Sequence, residues 1–175
     1  MDRTLTERES MILGQDFLTW LWHATEARGG VFQDKDGREF NLRLEERLSV
    51  QGGDGEGLES ATVKSPSGEL TEARSGLRTG KKVNRAQLRF DRDPESWQLT
   101  LKDTDFSVSG LKTPKVETSD REDTDPDARV LEKLFLVEQC LELLDGVYRE
   151  FLSARLSPQK WAEETKTIGV WIAKG

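Results

Sequence analysis

Two short runs of alternating polarity, residues 83–90 and 97–102, are separated only by Asp91-Arg92-Asp93-Pro94-Glu95-Ser96. In the first, Ala86, Leu88 and Phe90 interleave with Arg85, Gln87 and Arg89. A period of two is the mark of a half-buried strand, and Asp93-Pro94 is turn chemistry, so the pair predicts an antiparallel hairpin. One face of such a hairpin is apolar and must be covered, which limits the chain to folds that lay another layer on a small sheet.

The covering layer is legible as helices. Over residues 11–28, Leu13, Phe17, Leu21 and Ala24 fall at helical spacing, Ile12, Leu18 and Trp22 widen the stripe, and Gly29-Gly30 ends it. Residues 38–50 alternate again, with Phe40, Leu42 and Leu44 opposite Asn41, Arg43 and Glu45. The glycine-rich stretch at 52–57 predicts a loop, and residues 60–64 a short strand. A short helix is expected from Ser67, a candidate N-cap, to Gly80, a candidate C-cap. Residues 106–111 add a third strand to the hairpin. Asp125-Pro126 is an N-cap followed by proline at the first helical position, and Val130, Leu134, Val137, Leu141, Leu144, Tyr148 and Phe151 then recur at spacings of three and four. Ser157-Pro158 restarts the signal for a last helix bearing Trp161, Ile168 and Trp171. The expected fold is α+β: an N-terminal helix, a small antiparallel sheet with an inserted short helix, and a C-terminal helical hairpin. The expected organisation is a module over 1–111, an acidic linker over 112–127 and a helical region over 128–175.

Composition narrows the class. The chain has 175 residues, long enough for one core, with 34% hydrophobic and 34% charged residues. Cys140 and His23 are the single cysteine and histidine, so neither a disulfide nor a His-rich metal site is available within the chain. No run reaches the roughly 18 apolar residues of a membrane span, and residues 1–10 lack the apolar core of a signal peptide. These features predict a reducing, cytoplasmic location and no membrane partner.

The net charge of -7 argues on average against nucleic acid, but the charge is uneven. Residues 61–92 hold eight bases (Lys64, Arg74, Arg78, Lys81, Lys82, Arg85, Arg89 and Arg92) against three acids, a local balance of +5. Arg74 and Arg78 share a helix face, while Arg85 and Arg89 share a strand face. Helix, Gly80-Lys81-Lys82 exit and strand are expected to present six cations to one surface, with Lys64 and Arg92 at its margin and phosphate as the target. The plainer reading makes them solvent faces of amphipathic elements.

Other constellations are weaker. Asp103 with Asp105, and Asp91 with Asp93, have the spacing of paired carboxylates that hold a divalent cation, though turns favour Asp anyway. Glu164-Thr165-Lys166 has the spacing of some nuclease motifs but lies in a helical context. His23 has no nucleophile near it in sequence, and Cys140 reads as a buried thiol. The aromatic residues Phe17, Trp20 and Trp22 read as core or as a partner-binding patch. The glycines at 52–57 are not a nucleotide phosphate loop.

Three segments carry a resemblance. Residues 13–22 (LGQDFLTWLW), residues 69–83 (ELTEARSGLRTGKKV), and Asp105-Phe106 with residues 111–117 (LKTPKVE) resemble, in order, the C-terminal part of the recombination-associated RdgC family. Asp125-Pro126-Asp127, Leu144-Asp145 and residues 151–157 are similar to the tail of a longer branch of that family. The resemblance implies a non-enzymatic protein without cofactor that binds duplex DNA with little sequence preference. It further implies ring-shaped dimers with a basic inner surface, and restraint of the RecA recombinase. Family members carry a substantial N-terminal half before the matched part, so a separately encoded half or a second copy of the chain is an expected partner, and the nucleoid an expected location. The competing expectation is an interaction subunit that docks through aromatic surface of the Trp20 helix or the Trp161 to Trp171 tail. A metal-dependent nuclease built on Asp103 and Asp105 is a third.

Overall fold

A computed structural model describes residues 3–52, 59–64, 71–115 and 125–174. The chain order is α1 (Arg3–Ala27), β1 (Val31–Gln33), β2 (Glu39–Gly52), β3 (Glu59–Lys64), α2 (Thr71–Arg78), β4 (Lys82–Arg92), β5 (Glu95–Lys102), β6 (Val108–Lys112), α3 (Pro126–Arg155) and α4 (Pro158–Lys174). The architecture is α+β, with the N-terminal helix, inserted short helix and C-terminal helical pair that the patterning predicts.

The strands form one six-stranded antiparallel sheet in the order β1-β2-β4-β5-β6, with β3 paired to the far end of β2. Asp93 and Pro94 make the turn of the central hairpin, where Arg92 faces Glu95 across the first rung. Strand β1 was not expected, because three residues are too few to show a period. Helix α1 begins before the apolar stripe that announces it; a nucleated helix propagates through polar residues at little cost. Ser67, the expected N-cap, lies outside the described residues.

At its other end α2 stops as expected on Gly80, which takes φ +84°. The Gly80 N–H donates to Leu77 at 3.1 Å and the Lys81 N–H to Gly76 at 3.1 Å, the paired bonds of a Schellman motif. Helix α3 starts as read from the sequence: the Asp125 carboxylate accepts from the Asp127 N–H at 3.0 Å, with Pro126 in the first turn.

One face of the sheet is apolar and covered. Leu42, Leu48 and Val50 of β2, Val83, Ala86, Leu88 and Phe90 of β4, and Trp97, Leu99 and Leu101 of β5 are all buried. Helix α1 crosses this face chiefly over β4, contributing Phe17, Leu18, Leu21 and Ala24. The C-terminal helices join the same core rather than forming one of their own. Leu136, Cys140, Leu143, Val147 and Phe151 of α3 and Ile168 of α4 belong to the single apolar cluster. The indole N–H of Trp97 donates to the Leu136 carbonyl at 2.9 Å, fastening β5 to α3.

One irregularity of register sets which side chains of β4 face where. Between Ser49/Arg85 and Val50/Val83 the register of β2 against β4 slips, leaving Asn84 as an extra residue of β4. The bulge absorbs it, so Val83 and Ala86 both point to the core while Arg85 points away. The Asn84 carbonyl accepts from the Asp103 N–H at 3.0 Å. At that point α1 comes closest to the sheet: a Cβ on Gly14 would sit 2.0 Å from the Asp103 carbonyl oxygen, so only glycine fits. Gln15 beside it donates to the Asp103 carboxylate at 3.0 Å.

Candidate nucleic-acid interface

The expected six-cation surface does not form, because α2 and β4 use opposite sides of the sheet. Helix α2 buries Ala73 and Leu77 on the covered side, in the core that also holds Val50 and Val83. Its cations are turned into the helical layer. Arg74 is 23% exposed, is ion-paired to Glu26 of α1, and stacks over Trp171 of α4 at 4.8 Å and Trp22 of α1 at 5.8 Å. Arg78 donates through Nε to the Ile172 carbonyl at 3.1 Å. Arg74 holds α2 against α1 and α4, and Arg78 holds it against α4.

Arg92 is likewise engaged. At 17% exposure it bonds Asp34 at 3.4 Å and Glu95 at 3.1 Å, and lies over the Trp97 ring at 5.6 Å. Lys81 follows the Schellman turn and is half-buried. Lys64 ends β3 opposite Arg47. The side chains of Lys64 and Arg47 fall outside the described residues.

Lys82, Arg85 and Arg89 stand on the uncovered side, where three further cations that the sequence reading passed over join them. Cross-strand register sets Arg43, Arg89, Gln98 and Lys112 in one row over β2, β4, β5 and β6, and Ser49, Arg85 and Lys102 in another. Gln87, Thr100 and Ser109 form the row between them. The same alternation that placed Arg85 and Arg89 would have placed Arg43 and Lys102, but they lie outside the basic window of residues 61–92.

The two charged rows differ electrostatically. Arg89 bonds Asp91 at 2.9 Å and lies 4.0 Å from Glu45, while Arg43 lies 3.3 Å from Glu45 and 3.7 Å from Asp91. That cluster of two arginines and two acids is internally neutral. Arg85 and Lys102 are directly opposite each other instead, and among the described residues neither Arg85 nor Lys82 has an ion-pair partner. Lys102 contributes to the field that keeps the Asp105 carboxyl below its ordinary value.

The remaining candidates are structural. Asp103 is buried and faces α1, and its carboxyl is pushed above the usual range by burial, against the opposing bond from Gln15. Asp105 accepts from the Ser107 N–H at 3.0 Å, closing its own turn, and bonds from Ser107 hold its carboxyl below the ordinary value. Asp91 is taken up by the arginine cluster. No group of three or more His, Cys, Asp or Glu side chains able to hold a metal occurs among the described residues. His23 sits edge-on to Trp171 at 5.4 Å, and burial lowers its basicity against the pull of Glu164 and Glu26. The Cys140 thiol is buried and pushed up to about 12. Phe17, Trp20 and Trp22 are core, and Trp161 and Trp171 pack half-buried against it, so the expected aromatic docking surface is not exposed.

Comparison with family models, with curated proteins and with solved structures gave no match.

Proposed function

We propose that the chain binds the phosphate backbone of duplex DNA, without sequence preference and without catalysis, through the uncovered face of its sheet. The observation that carries the reading is the facing pair Arg85 and Lys102, with Lys82 on the same strand and no acid paired to Arg85 or Lys82 among the described residues. Like charges directly opposite in a sheet repel by some tenths of a kcal/mol, a cost that a bound anion removes. The RdgC resemblance of residues 69–83 supports the same target and suggests a setting in recombination or replication, with RecA modulation and a second copy or a separate N-terminal half as proposed partners. The acidic remainder repels DNA from other faces, so weak binding and strong salt dependence are expected.

The test is duplex DNA binding at two salt concentrations by the unaltered chain, by Arg85→Glu/Lys102→Glu and by Arg74→Glu/Arg78→Glu. The first pair should lower affinity and flatten the salt slope by about one unit per cation lost, whereas the second should leave the slope unchanged. Equal loss from both pairs would remove the sheet face from its assigned role. No binding at low salt would overturn the function.

A further inference from the structure

The first half of α3 carries an apolar face that no described element covers. Val130, Leu131, Leu134 and Phe135 are 58%, 66%, 54% and 56% exposed. Leu136 is the first residue of the helix to enter the core. Exposed single hydrophobes are ordinary, but four on two adjoining lines of one helix are a surface.

That surface continues into a cavity. Val130, Leu134, Leu141, Leu144 and Tyr148 follow each other at four, seven, three and four residues, a single line along the helix. Leu141, exposed at its mouth, Leu144, Asp145 and Tyr148 line a groove of about 360 Å³ that Phe17, Leu101 and Phe106 complete. Phe106 and Tyr148 meet edge to face at 5.0 Å and form its firm end.

Charge selects the occupant. Asp127 and Glu138 share the exposed face of Leu131 and Leu134 by helical period, whereas Asp145 on that face is bonded by Arg149 at 2.8 Å and Glu142 at its edge by Lys35 at 3.2 Å. Arg129 and Lys133, the bases of that half of the helix, lie on other sides of it. Residues 117–145 contain ten acids and three bases, and so carry by themselves a net charge equal to the -7 of the whole chain. Two copies paired antiparallel about Leu131 and Leu134 would set Asp127 of each against Glu138 of the other, which disfavours a homodimer there. DNA and anionic lipid are repelled for the same reason.

We infer that this seam is a docking site for a basic amphipathic helix of another protein, whose apolar residues at i, i+3 or i+4 and i+7 lie along Val130, Leu134 and Leu141. Its flanking Lys or Arg side chains meet Asp127 and Glu138, and its end residue enters the groove beside Tyr148. The site is independent of the DNA-binding face and of opposite charge.

The probe is a fluorescein-labelled, 18-residue synthetic helix of Leu and Lys with that spacing, titrated with the full chain by anisotropy. Its counterpart with Glu for Lys is the control. The Lys helix should bind, and the Glu helix at least about tenfold more weakly. Leu131→Glu/Leu134→Glu, at exposed positions where folding is verifiable by circular dichroism, should weaken the Lys helix by about tenfold or more although it makes the surface more acidic. Phe135→Ser should weaken it without any change of charge. Equal or tighter binding by Leu131→Glu/Leu134→Glu would reduce the interaction to nonspecific charge and overturn the site. A concentration-dependent dimer in sedimentation that this variant abolishes would overturn it in favour of a second copy.

Discussion

Arg74 and Arg85 belong to the same basic stretch and would count equally in any sum of charge, yet they do opposite things. Arg74 is clamped between two indole rings and a glutamate and ties three helices together. Arg85 stands on a sheet face across from Lys102, with no acid to pair with among the described residues. What separates them is the layer in which each is placed. A cation facing the covered side is structural; one facing the other side is available to a ligand unless, like Arg43 and Arg89, it is met there by acids.

The contrast can be broken hardest at the place where the covered layer meets the sheet. Gly14→Ala should destabilise by about 3 kcal/mol in urea unfolding, because the new methyl overlaps the Asp103 backbone and neither α1 nor the β5–β6 turn can yield. A change under about 1 kcal/mol would mean that α1 is seated more loosely than the structure describes. Next in size, Arg74→Ala should cost about 1–2 kcal/mol through its two ring contacts and its part-buried ion pair, read by thermal unfolding.

Two acids sharpen the picture through pH. The Asp103 carboxyl is raised by burial, so the folded state holds its proton to higher pH than the unfolded chain does, and stability falls as pH rises from 3.8 through the folded value. Asp103→Asn should abolish that fall and leave the protein at least as stable at neutral pH. Asp34 has the opposite sign. Burial alone would raise it, but the N–H groups of Arg38 and Asp36 and the charges of Arg38 and Arg92 hold it below 3.8. Its contribution is full above that value and is lost as pH falls through the folded one, so Asp34→Asn should lower stability at neutral pH and make the fall toward acid shallower. The smallest effect belongs to the open face: Arg85→Ala should move stability by less than about 0.5 kcal/mol. Loss as large as that of Arg74→Ala would erase the distinction between the layers.

Alternation was enough to read the strands other than β1 and their buried faces, and local residue chemistry to read the caps at Gly80 and Asp125, because each rests on residues close in sequence. The site was less legible. Alternation assigns faces within a strand, but nothing in residues 71–78 tells on which side of a sheet the helix will lie; that is decided by Ala73 and Leu77 finding Val50 and Val83 across the fold. The row Arg43, Arg89, Gln98 and Lys112 likewise exists only once four strands are in register. Several positions within residues 13–22 and 69–83 have plain structural duties. Gly14 makes room for the Asp103 backbone, Gln15 bonds its carboxylate, Asp16 accepts from Arg155 at 3.1 Å, and Gly80 ends α2. Of the two readings of Phe17, Trp20 and Trp22, core and docking patch, the structure has the core one, while exposed apolar surface belongs to the start of α3.

The burial of the indole rings has a practical, optical consequence. All five tryptophans, Trp20, Trp22, Trp97, Trp161 and Trp171, lie in the covered core or against it. Intrinsic emission should therefore be nearly blind to a ligand on the open sheet face, yet shift strongly whenever the helical layer lifts. A single cuvette can thus report rearrangement of the helical layer without any label, and without interference from a ligand on the open face.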